Sequence, residues 1–137
     1  MATISHHAAL IYTMVLVSAA DRDMTDSELL MIGEIIQVLP IFKDYDIDLL
    51  PATTAACAEL VDDDNGLETV LALIAEALPG HLRETAYALG CDVAAADGSV
   101  RQEELRLLEM LRDRFRLDTL VATAIERAAR ARFATLS

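Results

Sequence analysis

Residues 19–32 read AADRDMTDSELLMI, and residues 95–108 read AADGSVRQEELRLL. With an offset of 76 positions, Asp21 aligns with Asp97, and the apolar positions that follow them also align. In each copy an apolar segment precedes the acidic stretch and an amphipathic segment follows it. This pattern is typical of two antiparallel helices joined by a short turn. The sequence therefore predicts a duplicated αα-hairpin.

Helical periodicity extends over nearly the whole chain of 137 residues. We expect an all-α fold of about seven helices, at about residues 4–20, 26–39, 51–61, 66–78, 81–96, 100–115 and 118–134. The hairpin repeats, at about residues 5–40 and 81–116, are expected to bury their apolar faces against each other with pseudo-two-fold symmetry. The length suits a single domain, residues 1–137.

The acidic stretches contain signals for helix N-termini. Thr25 and Glu28 have the spacing of a capping box, in which each side chain accepts a hydrogen bond from the other residue's amide. In the second copy Arg101 stands where Thr25 stands in the first. Ser99 and Gln102 offer a box shifted two residues earlier, so we expect helix six to begin earlier than the alignment implies.

The paired pattern Ala-Ala-Asp-x-x-apolar-x-x-x-Glu-Leu, present as AADRDMTDSEL and AADGSVRQEEL, resembles the tellurite-resistance TerB-like family. The resemblance covers nearly the whole chain. It implies a small, non-catalytic, cytoplasmic bacterial domain associated with tellurite and general stress resistance. It also implies divalent-metal binding and association with membrane-bound partners.

A divalent cation is the only cofactor that the sequence suggests. Hard cations such as calcium require several oxygen ligands. Asp21, Asp23 and Glu28 could converge in the first turn, and Asp97 and Glu104 in the second, with backbone carbonyls completing either site. The alternative is that these carboxylates cap helices and bind no ion.

The first turn does not follow the EF-hand pattern. Counted from Asp21, Asp26 stands where glycine is required and Ile32 stands where the bidentate glutamate is required. Arg22 replaces the glycine that the family resemblance leads one to expect, and Arg101 lies beside the second turn. Both arginines place positive charge near the acidic groups, which favours diffuse over specific cation binding.

The charge distribution restricts the choice of partner. Residues 1–100 contain three basic and seventeen acidic residues, a net charge of −14, within a chain of net charge −12. Such a surface repels nucleic acid and attracts cations or basic proteins. Solubility alone would also explain it. The arginine-rich segment 126–133 is expected to be a solvated helix face, with contact to acidic lipid or an acidic partner as the alternative.

The remaining reactive residue types give little support for catalysis. Cys57 and Cys91 lie in alanine-rich helical segments and are expected to be buried free thiols, although a disulfide is left open. We expect no functional role for His6, His7 or His81. Catalytic and phosphate-binding motifs are absent from the sequence. The prediction is therefore a non-enzymatic, acidic helical binding or adaptor module with an unknown protein partner, and the alternative is a divalent-cation binding or sensing protein.

Overall fold

The computed structural model describes residues 3–20, 24–96 and 100–136. These residues form seven α-helices and no strand, as the sequence predicts. The helices are α1 His6–Ser18, α2 Asp26–Val38, α3 Leu50–Asp62, α4 Gly66–Ala77, α5 Gly80–Ala96, α6 Gln102–Phe115 and α7 Thr119–Arg132. Two 3₁₀ turns, Pro40–Phe42 and Ile47–Leu49, lie between α2 and α3.

Helix α1 is the centre of the core. Every residue from Ala9 to Ser18 is buried, so this helix has no polar face. It packs most extensively on α5 and also contacts α3, α4 and α6. A helix that is apolar on all sides is typical of a protein core. Within the described part of the chain, every helix is too short or too polar to span a bilayer.

Helix α2 lies at the periphery. Only Ile32 and Ile36 are buried on it, and its neighbours are α1 and the two 3₁₀ turns. His7 on α1 connects this region to the core: its Nε2 donates to the carbonyl oxygen of Ile41 at 2.8 Å, and its ring stacks on Phe42 with centroids 5.3 Å apart. These contacts give His7 a structural use.

Helices α5, α6 and α7 form the other side of the core. Gly90 on α5 lies where the helices approach closely, because a Cβ atom there would be 3.4 Å from side-chain carbons of both Leu108 and Val17. The sequence pattern predicts an apolar stripe on α6 that consists of Leu105, Leu108, Leu111 and Phe115. The last three are buried, but Leu105 is 48% exposed, and Leu107 is buried beside Leu108. Helix α6 contacts α1 and α4 as well as α5, and this broader surface buries Leu107.

The sequence predicts Asn65 as the N-cap residue of α4. Asn65 occupies that position, but its side chain does not cap the helix. It adopts the left-handed conformation, with φ of 57°, and its carbonyl oxygen accepts the Thr69 amide at 3.0 Å. Gly66 then begins the helix against the end of α3. A Cβ atom at this position would lie 2.3 Å from the carbonyl oxygens of Leu60 and Val61. The α3–α4 turn therefore depends on the left-handed backbone of Asn65 and on the absence of a side chain at Gly66, and not on a side-chain cap.

The two predicted hairpins share their helix register. Helix α2 begins at Asp26 and α6 begins at Gln102, positions that differ by the predicted offset of 76. The superposition of residues 5–40 on residues 81–116 stays a prediction.

Candidate functional site

The first acidic stretch leads into a complete capping box at the start of α2. The Glu28 amide donates to Thr25 Oγ1 at 3.2 Å, and the Thr25 amide donates to Glu28 Oε1 at 2.8 Å. The Thr25 hydroxyl also donates to the same carboxylate oxygen at 2.9 Å. Glu28 therefore stabilises the helix N-terminus, as the sequence predicts.

The helix after the second acidic stretch begins at the equivalent position, but it has only one of the two hydrogen bonds of a capping box. The Arg101 amide donates to Glu104 Oε1 at 3.0 Å, and α6 begins at Gln102. The predicted box of Ser99 and Gln102 is wrong, because Glu104 and not Gln102 accepts the bond from the N-cap amide. Ser99 itself lies outside the described residues. A guanidinium group has no acceptor atom, so Arg101 cannot return the bond that Thr25 returns.

The predicted cation ligands fall into two groups. Asp21, Asp23 and Asp97 lie outside the described residues. Glu28 and Glu104 are described, and both accept capping bonds; Glu104 is also buried, with 6% exposure. Among the residues that the structure describes, no group of three or more His, Cys, Asp or Glu side chains could hold a metal ion. Only one of the predicted ligands in each turn is described, which is fewer than a hard cation requires, so metal binding stays a prediction.

An open groove of about 640 Å³ lies between α1, α3 and α6. Its volume falls within the range of about 300–1,000 Å³ typical of ligand-binding clefts. It reaches Ala20 and Met24, the two described residues that flank the first acidic turn. Its surface is mainly aliphatic and includes Val15, Leu16, Val61, Leu67, Leu107 and Met110.

The charged edge of this groove is predominantly acidic. Asp62, Glu103 and Arg106 line it. Asp62 is the last residue of α3, and exposed Asp63 and Asp64 follow. The last turn of α3 contains no basic residue. Three carboxylates therefore lie at the end of the helix where the backbone dipole is already negative, an arrangement that is electrostatically unfavourable.

The two cysteines are free and buried, as predicted. Cys57 contributes to the wall of the groove. Burial raises the pKa of Cys57 from 9.0 to about 12, and burial together with the nearby Glu126 carboxylate raises the pKa of Cys91 to about 12. Both thiols are therefore neutral at physiological pH, and a neutral thiol is a poor nucleophile.

A polar network connects α5, α6 and α7 beside a second cavity of about 410 Å³. The Tyr87 hydroxyl donates to Glu126 Oε2 at 2.6 Å, and Arg112 Nη1 lies 3.3 Å from the same oxygen. Burial and this hydrogen bond raise the pKa of Tyr87. No sequence pattern predicts this network, because Tyr87 and Glu126 are 39 positions apart on different helices.

The arginine-rich segment 126–133 is only partly a solvated face. Arg127 and Arg130 are exposed, as predicted. Arg132, however, forms an ion pair with Asp92 on α5, and Glu126 belongs to the network described above. Part of this segment therefore attaches α7 to the core.

The seven helices of the described residues define a small all-α domain. A family model described as tellurite resistance protein TerB matches residues 7–127. The chain belongs to this family. The match extends from the first turn of α1 into α7 and thus includes both acidic turns and the groove. Comparisons with curated proteins and with solved structures gave no match.

Proposed function

We propose that the protein is a non-catalytic binding module that acts in a tellurite- or stress-resistance system by holding a protein partner in the cytoplasm. The observation that carries this proposal is the open aliphatic groove between α1, α3 and α6. Contiguous exposed apolar surface on a small protein marks an interaction site. A groove beside one of the repeated turns gives an adaptor a surface on which to bind its partner.

The disposition of the reactive groups supports a non-catalytic role. The Cys57 thiol, which belongs to the wall of the groove, has a raised pKa. Glu28 and Glu104 accept bonds from N-cap amides, which is a structural use of these carboxylates. A catalytic thiol would need a lowered pKa, and the raised pKa of Cys57 is the opposite. Two free thiols also fit a reducing compartment.

The charge of the surface supports a protein partner, including one attached to a membrane, over nucleic acid. A negatively charged body repels phosphate backbones and increases the association rate of basic proteins.

Affinity capture from a bacterial lysate tests the adaptor proposal. The immobilised chain should retain at least one protein, at about physiological ionic strength, that an unrelated helical protein of similar negative charge does not retain. Identical sets of retained proteins would show that only non-specific charge attraction is present and would contradict the proposal.

Divalent-cation binding is the second candidate function. The observation that favours it is the matched orientation of Glu28 and Glu104, since an N-cap amide fixes Oε1 of each. A fixed carboxylate in each acidic turn would reduce the entropic cost of forming a cation site. The thermal titration that tests this candidate is described in the Discussion.

A further inference from the structure

We infer that the groove between α1, α3 and α6 binds an amphipathic helix of the partner protein, with a cluster of Lys or Arg side chains on that helix beside Asp62–Asp64. This inference rests on the proposed adaptor function and specifies the surface and the chemistry of the ligand. Three features carry it: the aliphatic lining, the position of the groove between helices, and the acidic residues at the end of α3.

The lining favours an aliphatic ligand face. Val15, Leu16 and Leu107 are buried, whereas Val61 and Met110 are half-buried and belong to the more open part of the groove. A groove between helices accepts the side chains that an amphipathic helix presents at positions i, i+3, i+4 and i+7. Met110 has a flexible thioether side chain that can adapt to different aliphatic neighbours.

The acidic end of α3 favours a positively charged ligand. Asp62, Asp63 and Asp64 are exposed, and none of the ion pairs between described residues includes them. Their mutual repulsion and the negative end of the α3 dipole oppose this arrangement in the isolated protein. Lys or Arg side chains on a ligand would relieve that repulsion on binding. A fatty acid would fit the aliphatic lining, but its carboxylate would be repelled by this cluster.

Glu103 and Arg106 lie on the α6 side of the groove. Their charges oppose each other, so the α6 side adds little net potential. The net negative charge of the groove edge therefore comes from the end of α3, and this asymmetry fixes the expected direction of the bound helix: its basic end lies beside Asp62–Asp64.

Selection from a displayed library of 16-residue peptides tests the inference directly. Selected peptides should have aliphatic residues at helical spacing and Lys or Arg concentrated at one end. Synthetic copies should bind the parent protein with micromolar affinity, measured by fluorescence anisotropy. Methyl NMR signals of Met110 should shift on binding, whereas those of Met31 on the peripheral helix α2 should not.

Two variants of α3 locate the binding surface. Ala58 is exposed and lines the groove, so Ala58→Arg should obstruct the groove without disturbing the core. We expect a loss of affinity of at least tenfold. Ala55→Arg is the matched control, because Ala55 is exposed on the same helix and does not line the groove. This control should bind within twofold of the parent.

A second pair of variants tests the charge requirement. The combined change of Asp62, Asp63 and Asp64 to Asn should weaken binding about fivefold at low salt, with a smaller difference at high salt. The control removes three carboxylates elsewhere, by changing Glu34 and Glu84 to Gln and Asp44 to Asn. Because net charge is equal in the two triple variants, a larger effect of the first identifies the local cluster.

Four results would overturn the inference: no peptide selected, selected peptides without basic ends, equal binding by Ala58→Arg and the parent, or displacement of the peptide by a fatty acid at low concentration. The adaptor proposal fails separately. If a captured cellular protein binds Ala58→Arg as well as the parent, the adaptor function stands and the groove assignment is wrong. If peptides bind the groove but lysate capture is non-specific, the groove assignment stands and the adaptor function is wrong.

Discussion

The hydroxyl of Tyr87 on α5 donates a 2.6 Å hydrogen bond to the carboxylate of Glu126 on α7. Tyr87 is buried, with 1% exposure, and the Glu126 side chain is 30% exposed. Tyr87→Phe keeps the ring and removes the donor, so we expect the free energy of unfolding to fall by about 1 kcal/mol in urea denaturation.

Tyr45→Phe is the control for this change. The Tyr45 hydroxyl lies 3.3 Å from Thr53 Oγ1, a longer contact between neutral groups at a half-buried site. Its removal should cost less than about 0.5 kcal/mol. Equal losses from the two variants would show that the Tyr87 bond contributes no more than an ordinary polar contact.

Gly66→Ala should destabilise the protein by about 1–3 kcal/mol, because the added methyl group would overlap two backbone carbonyl oxygens at the end of α3. Gly80→Ala is the matched control: nothing lies within 4 Å of a Cβ atom there, and alanine is the better helix former. Thermal unfolding of both variants measures the difference. A neutral Gly66→Ala would mean that the α3–α4 turn relaxes easily.

Thr25→Ala should cost about 1 kcal/mol, because it removes the acceptor for the Glu28 amide. Thr25→Ser keeps that acceptor and should restore most of the stability. Arg101→Ala at the equivalent position keeps the backbone amide that donates to Glu104, so this capping bond should survive the change. Chemical denaturation of Thr25→Ala and Thr25→Ser measures the contribution of the first cap. Equal stability of these two variants would contradict a role for the Thr25 hydroxyl.

Stability should fall as the pH rises above about 9. The unfolded thiols ionise near their ordinary pKa of 9.0, whereas Cys57 and Cys91 keep their protons in the folded state up to a pKa of about 12. The folded protein then holds more protons than the unfolded one, so the free energy of unfolding decreases with pH, by at most about 1.4 kcal/mol per pH unit for each thiol.

Urea denaturation between pH 8 and pH 10.5 measures this decrease. Cys57→Val removes one of the two thiols and should give a shallower decrease than the parent, whatever its stability at pH 8. Parallel curves for the parent and the variant would show that Cys57 does not contribute to the pH dependence.

Calcium should raise the melting temperature only at millimolar concentration and only at low salt. Clustered carboxylates in a chain of net charge −12 repel one another, and any divalent ion relieves that repulsion. Screening by moderate salt should remove such a diffuse effect. A specific site would act at lower concentration, persist in salt and be lost in Asp21→Asn or Asp97→Asn, which would make cation binding the leading function.

The sequence was sufficient to predict the helices, because hydrophobic periodicity and local start and stop signals determine where they lie. Pro40 follows the end of α2, and Thr25 and Glu28 mark the beginning of that helix. Leu105 was wrongly assigned to the buried stripe of α6, and Leu107 was not assigned to it, because the sequence does not reveal which other helices contact α6. Only the tertiary arrangement of α1, α4 and α5 around that helix decides which leucines are buried.

The candidate site was harder to predict from the sequence than the helices. The acidic turns are contiguous motifs, so Glu28 and Glu104 could be found, although a motif does not distinguish a capping carboxylate from a metal ligand. The groove combines residues as distant as Val15 and Met110. No local pattern identifies such a surface, because its aliphatic lining residues have the ordinary character of core positions.

The central position of α1 also has a consequence for synthesis of the protein. Its apolar residues, Ala9 to Ser18, precede all of the helices that cover them, and α6 is completed only at Phe115. At roughly 5–20 residues per second, the ribosome leaves this segment uncovered for several seconds or more. The nascent chain therefore exposes this aliphatic segment during synthesis, and interrupted translation would yield fragments in which it stays uncovered and prone to aggregation.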